Sequence, residues 1–296
     1  MHTGEAANMP ASQGSPVLSS NPASRSEPTY DTDSRRRFIV DEVRDLIAFR
    51  HLIANMVRRD VTARYKRSAL GILWTLLDPL LTMVVMAIVF STMLGLNIPG
   101  YPVFLLSGLI VWTFVNQVVM NAMGDLVGSS AILGKVYLPK SIFSATAVGS
   151  GAVNLVISLI PMFFLTFAFQ RPVTLALLFL PVGMLIVSLF AMGLGLLMSS
   201  LAVRFGDMQN VFGILMRLLM YVSAVFYQVD RLPTWAQTIV RLNPIYHMIE
   251  LFRSPVYNGT FPSMASMTYT VVWALLALLA GFFVFTRLSD EFAYRT

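Results

Sequence analysis

His247 and Glu250 come nearest to a reactive pair in this sequence. Three positions apart, they lie one helical turn from each other, so a helix sets an imidazole and a carboxylate on one face. Such a pair could serve acid–base chemistry or begin a metal site. No second His and no acidic cluster stands nearby in the sequence to complete either, so the two read as a local polar pair. Gly128 with Gly134-Lys135 is a second candidate. A phosphate-binding loop needs four residues between its glycines, Ser or Thr after the Lys, and a preceding strand. Here five residues intervene, Val136 follows the Lys and no strand pattern precedes, so no nucleotide site is read. The chain has no Cys, which excludes disulfides, thiolate metal ligands and Cys nucleophiles. No covalent chemistry and no cofactor site is visible.

The remaining candidates are polar groups inside an apolar chain. Of 296 residues, 56% are hydrophobic and only 12% charged, against about 25% charged in a soluble domain. An integral membrane protein is expected. Aromatics at 12%, with 18 Met and 18 Gly, suit packed transmembrane helices. The net charge of +6 is concentrated beside the first apolar span. Topology accounts for it there, and no nucleic-acid partner is implied. Arg217 falls near the middle of an apolar stretch, where an Arg costs about 2.5–3.5 kcal/mol on insertion. It must face protein or water. It either lines a polar path toward an anionic substrate group or pairs structurally with a carbonyl or carboxylate.

The elements that position these groups are all helical: six transmembrane helices, an N-terminal amphipathic interface helix and short re-entrant helices before the last span. Residues 1–34, rich in Ser, Pro, Asn and Ala, read as a disordered cytoplasmic tail without a signal-peptide core. Residues 35–69 form an interface segment. Within it, 38–57 is amphipathic at helical spacing, with Arg50 interrupting the apolar stripe. It is either a helix lying in the cytoplasmic interface or a half-buried helix of a small cap. The transmembrane domain occupies 70–296. Its first span, 70–96, is longer than the roughly 20 residues a bilayer needs. Asp78-Pro79 explains the excess if Asp78 caps a helix that begins at Pro79, leaving Trp74 as an interface anchor. The alternative is one long helix kinked at Pro79. Further spans are read over 103–123 (with Asn116-Gln117 facing other helices), 142–169, 173–203, 208–228 and 267–285. Between the second and third, 124–141 is too polar and Gly-broken to span, and a short helix over 125–133 closed by Gly134 fits it. The outer region 229–266 holds two short helices, 233–242 and 245–253. Asn243 caps the second and Pro244 takes its first position.

Charge sets the orientation. Ten Lys or Arg lie between Arg35 and Arg67, and none lies in the 97–102 turn. Lys135, Lys140, Arg204, Arg287 and Arg295 fall on the N-terminal side, which puts both termini in the cytoplasm. Arg171, Arg231, Arg241 and Arg253 lie opposite and weaken the bias without reversing it. Few ionisable groups sit within the spans, unlike ion-driven transporters and pumps. Any driving force is therefore expected from outside this chain.

Two stretches carry a resemblance. Arg59-Asp60-Val61-Thr62-Ala63-Arg64-Tyr65-Lys66-Arg67-Ser68, followed by Leu70-Gly71-Ile72-Leu73-Trp74 and Asp78-Pro79, resembles the motif ahead of the first span in permease subunits of type-2 ABC exporters. Asn243-Pro244-Ile245-Tyr246-His247-Met248-Ile249-Glu250-Leu251-Phe252-Arg253 is similar to their motif before the last span. The branch it resembles most is the polysaccharide exporters: O-antigen, capsule and teichoic acid permeases. The basic part of the first motif is longer than in the capsule branch, which favours an O-antigen-like glycan.

The resemblance implies an inner-membrane permease working as a pair, a second copy of itself included, with two separate ABC ATPase subunits that carry the ATP and Mg. The chain itself would be no enzyme. A lipid-linked glycan would pass outward between the two permeases. The 124–141 loop would dock on the ATPase through Asp125, Leu126, Ile132, Leu133, Lys135, Tyr137 and Pro139. Arg59, Asp60, Arg64, Tyr65 and Trp74 would form the interface and cytoplasmic entrance. Trp112, Phe114, Arg217, Tyr221, Phe226 and Tyr227 are candidates for the path, since sugar rings pack on aromatic faces; each aromatic reads equally as helix packing or a lipid-facing belt. Within the family a lipid or drug exporter is the alternative. From another class, it is a membrane scaffold or a membrane-bound enzyme.

Overall fold

A helix that is apolar on most of its sides must be surrounded, and one helix here meets that condition over its first four turns. In the computed structural model, which describes residues 44–66, 71, 73–93, 95, 98–129 and 139–289, it is the third. The helices are α1 (Arg50–Tyr65), α2 (Leu73–Ile88), α3 (Tyr101–Gly128), α4 (Ser141–Ala168), α5 (Leu180–Arg204), α6 (Met208–Val222), α7 (Thr234–Leu242), α8 (Pro244–Arg253) and α9 (Met264–Ser289). Short π turns follow α2 (Val89–Met93) and α8 (Ser254–Asn258), and a 3-10 turn (Leu175–Phe179) leads into α5. In α3, 78% of the apolar stretch is buried, against 11% in α2. Helices α2, α4, α5 and α8 pack around it.

Five helices among the described residues are long and apolar enough to cross a membrane: 73–92, α3, α4, 175–204 and 264–288. Over the expected 208–228 span the regular helix is shorter. Helix α6 ends at Val222 and has 15 residues, about 22 Å of rise against a hydrocarbon core of about 30 Å. Ala224, two residues on, is fully buried with φ +50°, a left-handed conformation that L residues seldom adopt. The chain turns there because the carbonyls of Ala224 and Val225 both accept from the buried Arg253.

Three other expectations change. Helix α2 runs from Leu73 straight through Pro79, which is buried inside it, so Asp78 does not cap a helix beginning at Pro79. The second span continues past 123 to Gly128 in one helix; the proposed short helix over 125–133 is therefore the end of α3 as far as the described residues reach. The amphipathic segment is helical over 44–48, breaks at Phe49, next to Arg50, and then continues through the cationic stretch to Tyr65. The start of α8 is as expected. Asn243 accepts from the Ile245 N–H at 3.0 Å, with Pro244 as the first residue of α8. The tail, 1–34, lies outside the described residues.

Small residues bring the helices into backbone contact. A Cβ added at Gly193 of α5 would overlap the backbone of Ala277 and Leu278, and one at Gly281 of α9 would overlap the Gly193 carbonyl. This is the close crossing that small residues allow in membranes, where packing rather than hydrophobicity drives association. Gly151 of α4 similarly sits against Val118 and Phe114 of α3, and Gly149 against Val57 of α1. Gly193→Leu should therefore separate α5 from α9. The expected outcome is loss of monodisperse protein on size exclusion in detergent, whereas Gly213→Leu, with open space around its Cβ position, should leave the elution profile intact.

Candidate functional site

Two polar cavities, each about 600 Å³, flank α3. The first lies among α1, α2, α3 and α4. Arg64, Trp74, Asp78, Phe114, Asn116, Gln117, Asn121 and Asn154 line it, with Thr75, Thr113 and Ser158 between. The second lies between α3 and α6, lined by Trp112, Asn116, Met120, Gln209, Asn210 and Arg217. Asn116 and Met120 belong to both. Their spacing with Trp112, at i and i+4, makes one stripe along α3, so this helix is a shared polar wall. Thus Arg64, Trp74 and Phe114 come together in the first cavity, and Trp112 and Arg217 in the second.

Local geometry positions the lining. Gln117, with its amide oxygen turned to the donors, accepts from Asn154 Nδ2 at 2.8 Å and from the Arg64 guanidinium. That contact ties α1 to α3 and α4. Trp74, 52% exposed, stands at the cavity edge, while Phe114 and Trp112 line their cavities as buried side chains. Arg217 is exposed, and its Nε donates to the Gly213 carbonyl one turn back at 3.2 Å. It thus keeps its guanidinium beside the second cavity, not paired with a carboxylate.

The outer end is organised differently. Arg253, 3% exposed, donates to Glu250 at 3.1 Å and to the Ala224 and Val225 carbonyls at 3.1 and 3.3 Å. Its guanidinium lies 3.7 Å over the Phe104 ring, and only a glycine at 108 gives its Nη2 room, since a Cβ there would come within 2.9 Å. Phe226 is buried, stacks on Phe90 at 5.6 Å, and its carbonyl accepts from Tyr101. It belongs to this packing and lines neither cavity. Tyr221 is exposed beside it, and Tyr227 donates to the Tyr221 carbonyl at 2.6 Å. His247 and Glu250 do not pair with each other. The His247 Nε2 contacts the Arg241 carbonyl at 2.8 Å and its Nδ1 the Ser266 hydroxyl at 3.2 Å, while Glu250 holds Arg253. Among the described residues no cluster of His, Cys, Asp or Glu could hold a metal ion.

At the other end of α3, Arg59 and Asp60 of α1 form an exposed ion pair at 3.2 Å. Asp125 is half-buried on the last turn of α3. Leu126 is 1% exposed and packs with Phe143, Leu196, Phe282 and Phe285, so it anchors the helix end and offers no docking surface. Pro139 is buried at the start of α4. Ile132, Leu133, Lys135 and Tyr137 lie outside the described residues, as does the side chain of Tyr65.

Residues 51–257, taking in both cavities and the Arg253 network, match the family model described as ABC-2 type transporter. The chain belongs to this family. It is 27% identical to the O-antigen export system permease protein RfbA of Myxococcus xanthus over 85% of this chain and 97% of that one. It is 24% identical to the O-antigen export system permease protein RfbA of Klebsiella pneumoniae, over 82% and 93%. With the capsule polysaccharide export inner-membrane protein CtrC of Neisseria meningitidis serogroup A it shares 25% over 82% and 93%. For an ABC-2 membrane protein, transport and not catalysis is the activity to explain.

In this ABC-2 membrane chain, sequence reasoning missed Asn121, Asn154, Ser158, Gln209 and Asn210 as cavity residues. Their common signal is an amide or hydroxyl within or at the end of an apolar helix, the same signal that marked Asn116-Gln117. The Arg253 network yields a direct test. Removing one partner of a buried charge pair costs about 3–5 kcal/mol. Arg253→Met should lower the thermal midpoint of the detergent-solubilised protein sharply, whereas Arg241→Met, whose ion pair with Asp230 is exposed, should leave it nearly unchanged.

Proposed function

We propose that this chain is the permease subunit of an ATP-driven exporter that moves a lipid-linked, O-antigen-like polysaccharide from the cytoplasm across the inner membrane. The observation that carries the reading is near full-length similarity to two O-antigen export permeases. The cavities along α3 support it. A glycan needs hydroxyl-matching amides and flat apolar faces, and both line them. A capsule polysaccharide is the second reading, favoured by the similarity to CtrC.

On this proposal α6 and the turn after it complete a sixth crossing, both termini are cytoplasmic, and two copies pair. Pairing is supported by the apolar surface that α2 and α6 leave bare, with Leu81, Val85, Ile88, Ile214, Leu218 and Tyr221 all exposed. The pair works with two ATPase subunits, which bind the ATP and Mg. The loop after α3 docks on them through Asp125, Ile132, Leu133, Lys135 and Tyr137, with the buried Leu126 and Pro139 as its anchors. Arg59, Asp60, Arg64, Tyr65 and Trp74 form the cytoplasmic entrance. Trp112, Phe114, Arg217 and Tyr221 face the passing glycan.

Two experiments test this. Deletion of the chain should strand undecaprenyl-linked glycan on the cytoplasmic side; normal surface glycan after deletion overturns the substrate assignment. Affinity purification from native membranes should recover an ATPase, and Lys135→Glu combined with Leu133→Pro should lose it without loss of insertion. Retention of the ATPase by that double variant overturns the docking assignment.

A further inference from the structure

The first cavity has a chemical character that the transport proposal does not by itself require. Helix α6, with its Arg217, contributes nothing to it; the lining comes from α1 to α4 of one chain. Its polar set is one guanidinium, one carboxylate and four carboxamides, on Arg64, Asp78, Asn116, Gln117, Asn121 and Asn154. The two charges cancel, which disfavours a phosphate or any other strongly charged ligand. An acyl chain would leave Asp78, Asn116 and Asn121 without a polar partner, so lipid tails are also disfavoured.

A sugar ring has the complementary chemistry. Each hydroxyl both donates and accepts, and a carboxamide offers a donor and an acceptor side by side. A guanidinium adds a fork of donors and a carboxylate a pair of acceptors. Trp74 at the mouth and Phe114 inside supply apolar ring surface for the C–H face of a pyranose. Among the described residues the side chains of Asp78, Asn116 and Asn121 make no hydrogen bond within the protein. Asp78 is exposed at the cavity edge and Asn116 and Asn121 are half-buried, so all three can reach a polar occupant of the cavity. A volume of about 600 Å³ lies in the range of small-molecule pockets.

We infer that this cavity is a binding subsite for an uncharged sugar unit of the glycan, within a single chain and separate from the cavity that contains Arg217. Asn116, shared by both cavities, is where a unit held here meets the α3–α6 side. The inference rests on the glycan-export reading, and it assigns to Asn121 and Asp78 a role in recognition rather than packing.

Site-specific photocrosslinking in cells tests it. Thr113 lines only this cavity and is half-buried. The probe is p-benzoylphenylalanine in its place, with the cell's own lipid-linked glycan as ligand and the whole exporter present. Ultraviolet light should produce an adduct that carries glycan, detected by an antiserum to the surface polysaccharide. Leu185, exposed on the outside of α5, should give none. Asn121→Leu in the Thr113 background should reduce the adduct about tenfold, as expected for losing a well-made hydrogen-bond pair. If the Thr113 substitution blocks insertion, Leu155, another residue of this cavity, takes its place. No glycan adduct, or an adduct carrying phospholipid only, overturns the subsite. The same probe at Arg217 separates the two levels: glycan captured there but not at Thr113 sinks the subsite and leaves glycan export standing. Capture at neither position, with normal surface glycan after deletion of the chain, sinks both.

Discussion

The buried guanidinium of Arg253 is the constraint on which the outer half of this protein depends. A charge taken out of water must be met by charge, dipoles or π density, or it destabilises the fold by several kcal/mol. Glu250, two backbone carbonyls and the Phe104 face meet it here. Those partners come from three places: α8, the turn after α6, and α3. Satisfying one side chain therefore sets where α6 stops, why Ala224 takes a left-handed conformation, and why α3 carries a glycine at position 108. A second cation, Arg171, ties the neighbouring rim, lying 3.7 Å over the Tyr257 ring and donating to the Pro99 carbonyl. Helix α8 is thus tied to α3 and to the turn after α6.

Toward the other end, constraint gives way to polarity. Helix α3 is buried on all sides, yet its middle and lower turns carry Asn116, Gln117 and Asn121 between two cavities. A helix in that position cannot leave without dismantling the bundle. Helices α2 and α6 leave much of their apolar surface bare beside it.

Helix α1 bears directly on the polar wall. It lies along α4, with Val57 against Gly149 and Met56 beside Thr146, and its Arg64 reaches the Gln117–Asn154 pair. A displacement of α1 would be felt directly by the polar wall. The cationic stretch next to the first span is therefore more than a topology signal: it places a guanidinium at the mouth of a membrane cavity.

Much of this was legible in the residues alone. Composition and hydropathy determined the membrane class and all-helical fold, because no other open structure satisfies its backbone in lipid. Local chemistry determined the Asn243 cap and the Pro244 start of α8, since both act within one turn. Two motifs pointed to the family. What the sequence could not decide were the quantities set by contacts between distant segments. Pro79 reads either as a helix start or as a kink within one long helix, and the buried position of its ring inside α2 selects the long helix. The fifth apolar stretch reads as a full span and stops at Val222, because an Arg thirty-one positions away claims the next two carbonyls. Phe226 reads as a path residue and is core; His247 and Glu250 read as a pair and are held by other partners. Asn121 and Asn154 are unremarkable in sequence and become a site only when α3 and α4 face each other. Periodicity and capping are local and survive in one dimension. The partner of a buried charge, or of an amide, is chosen in three.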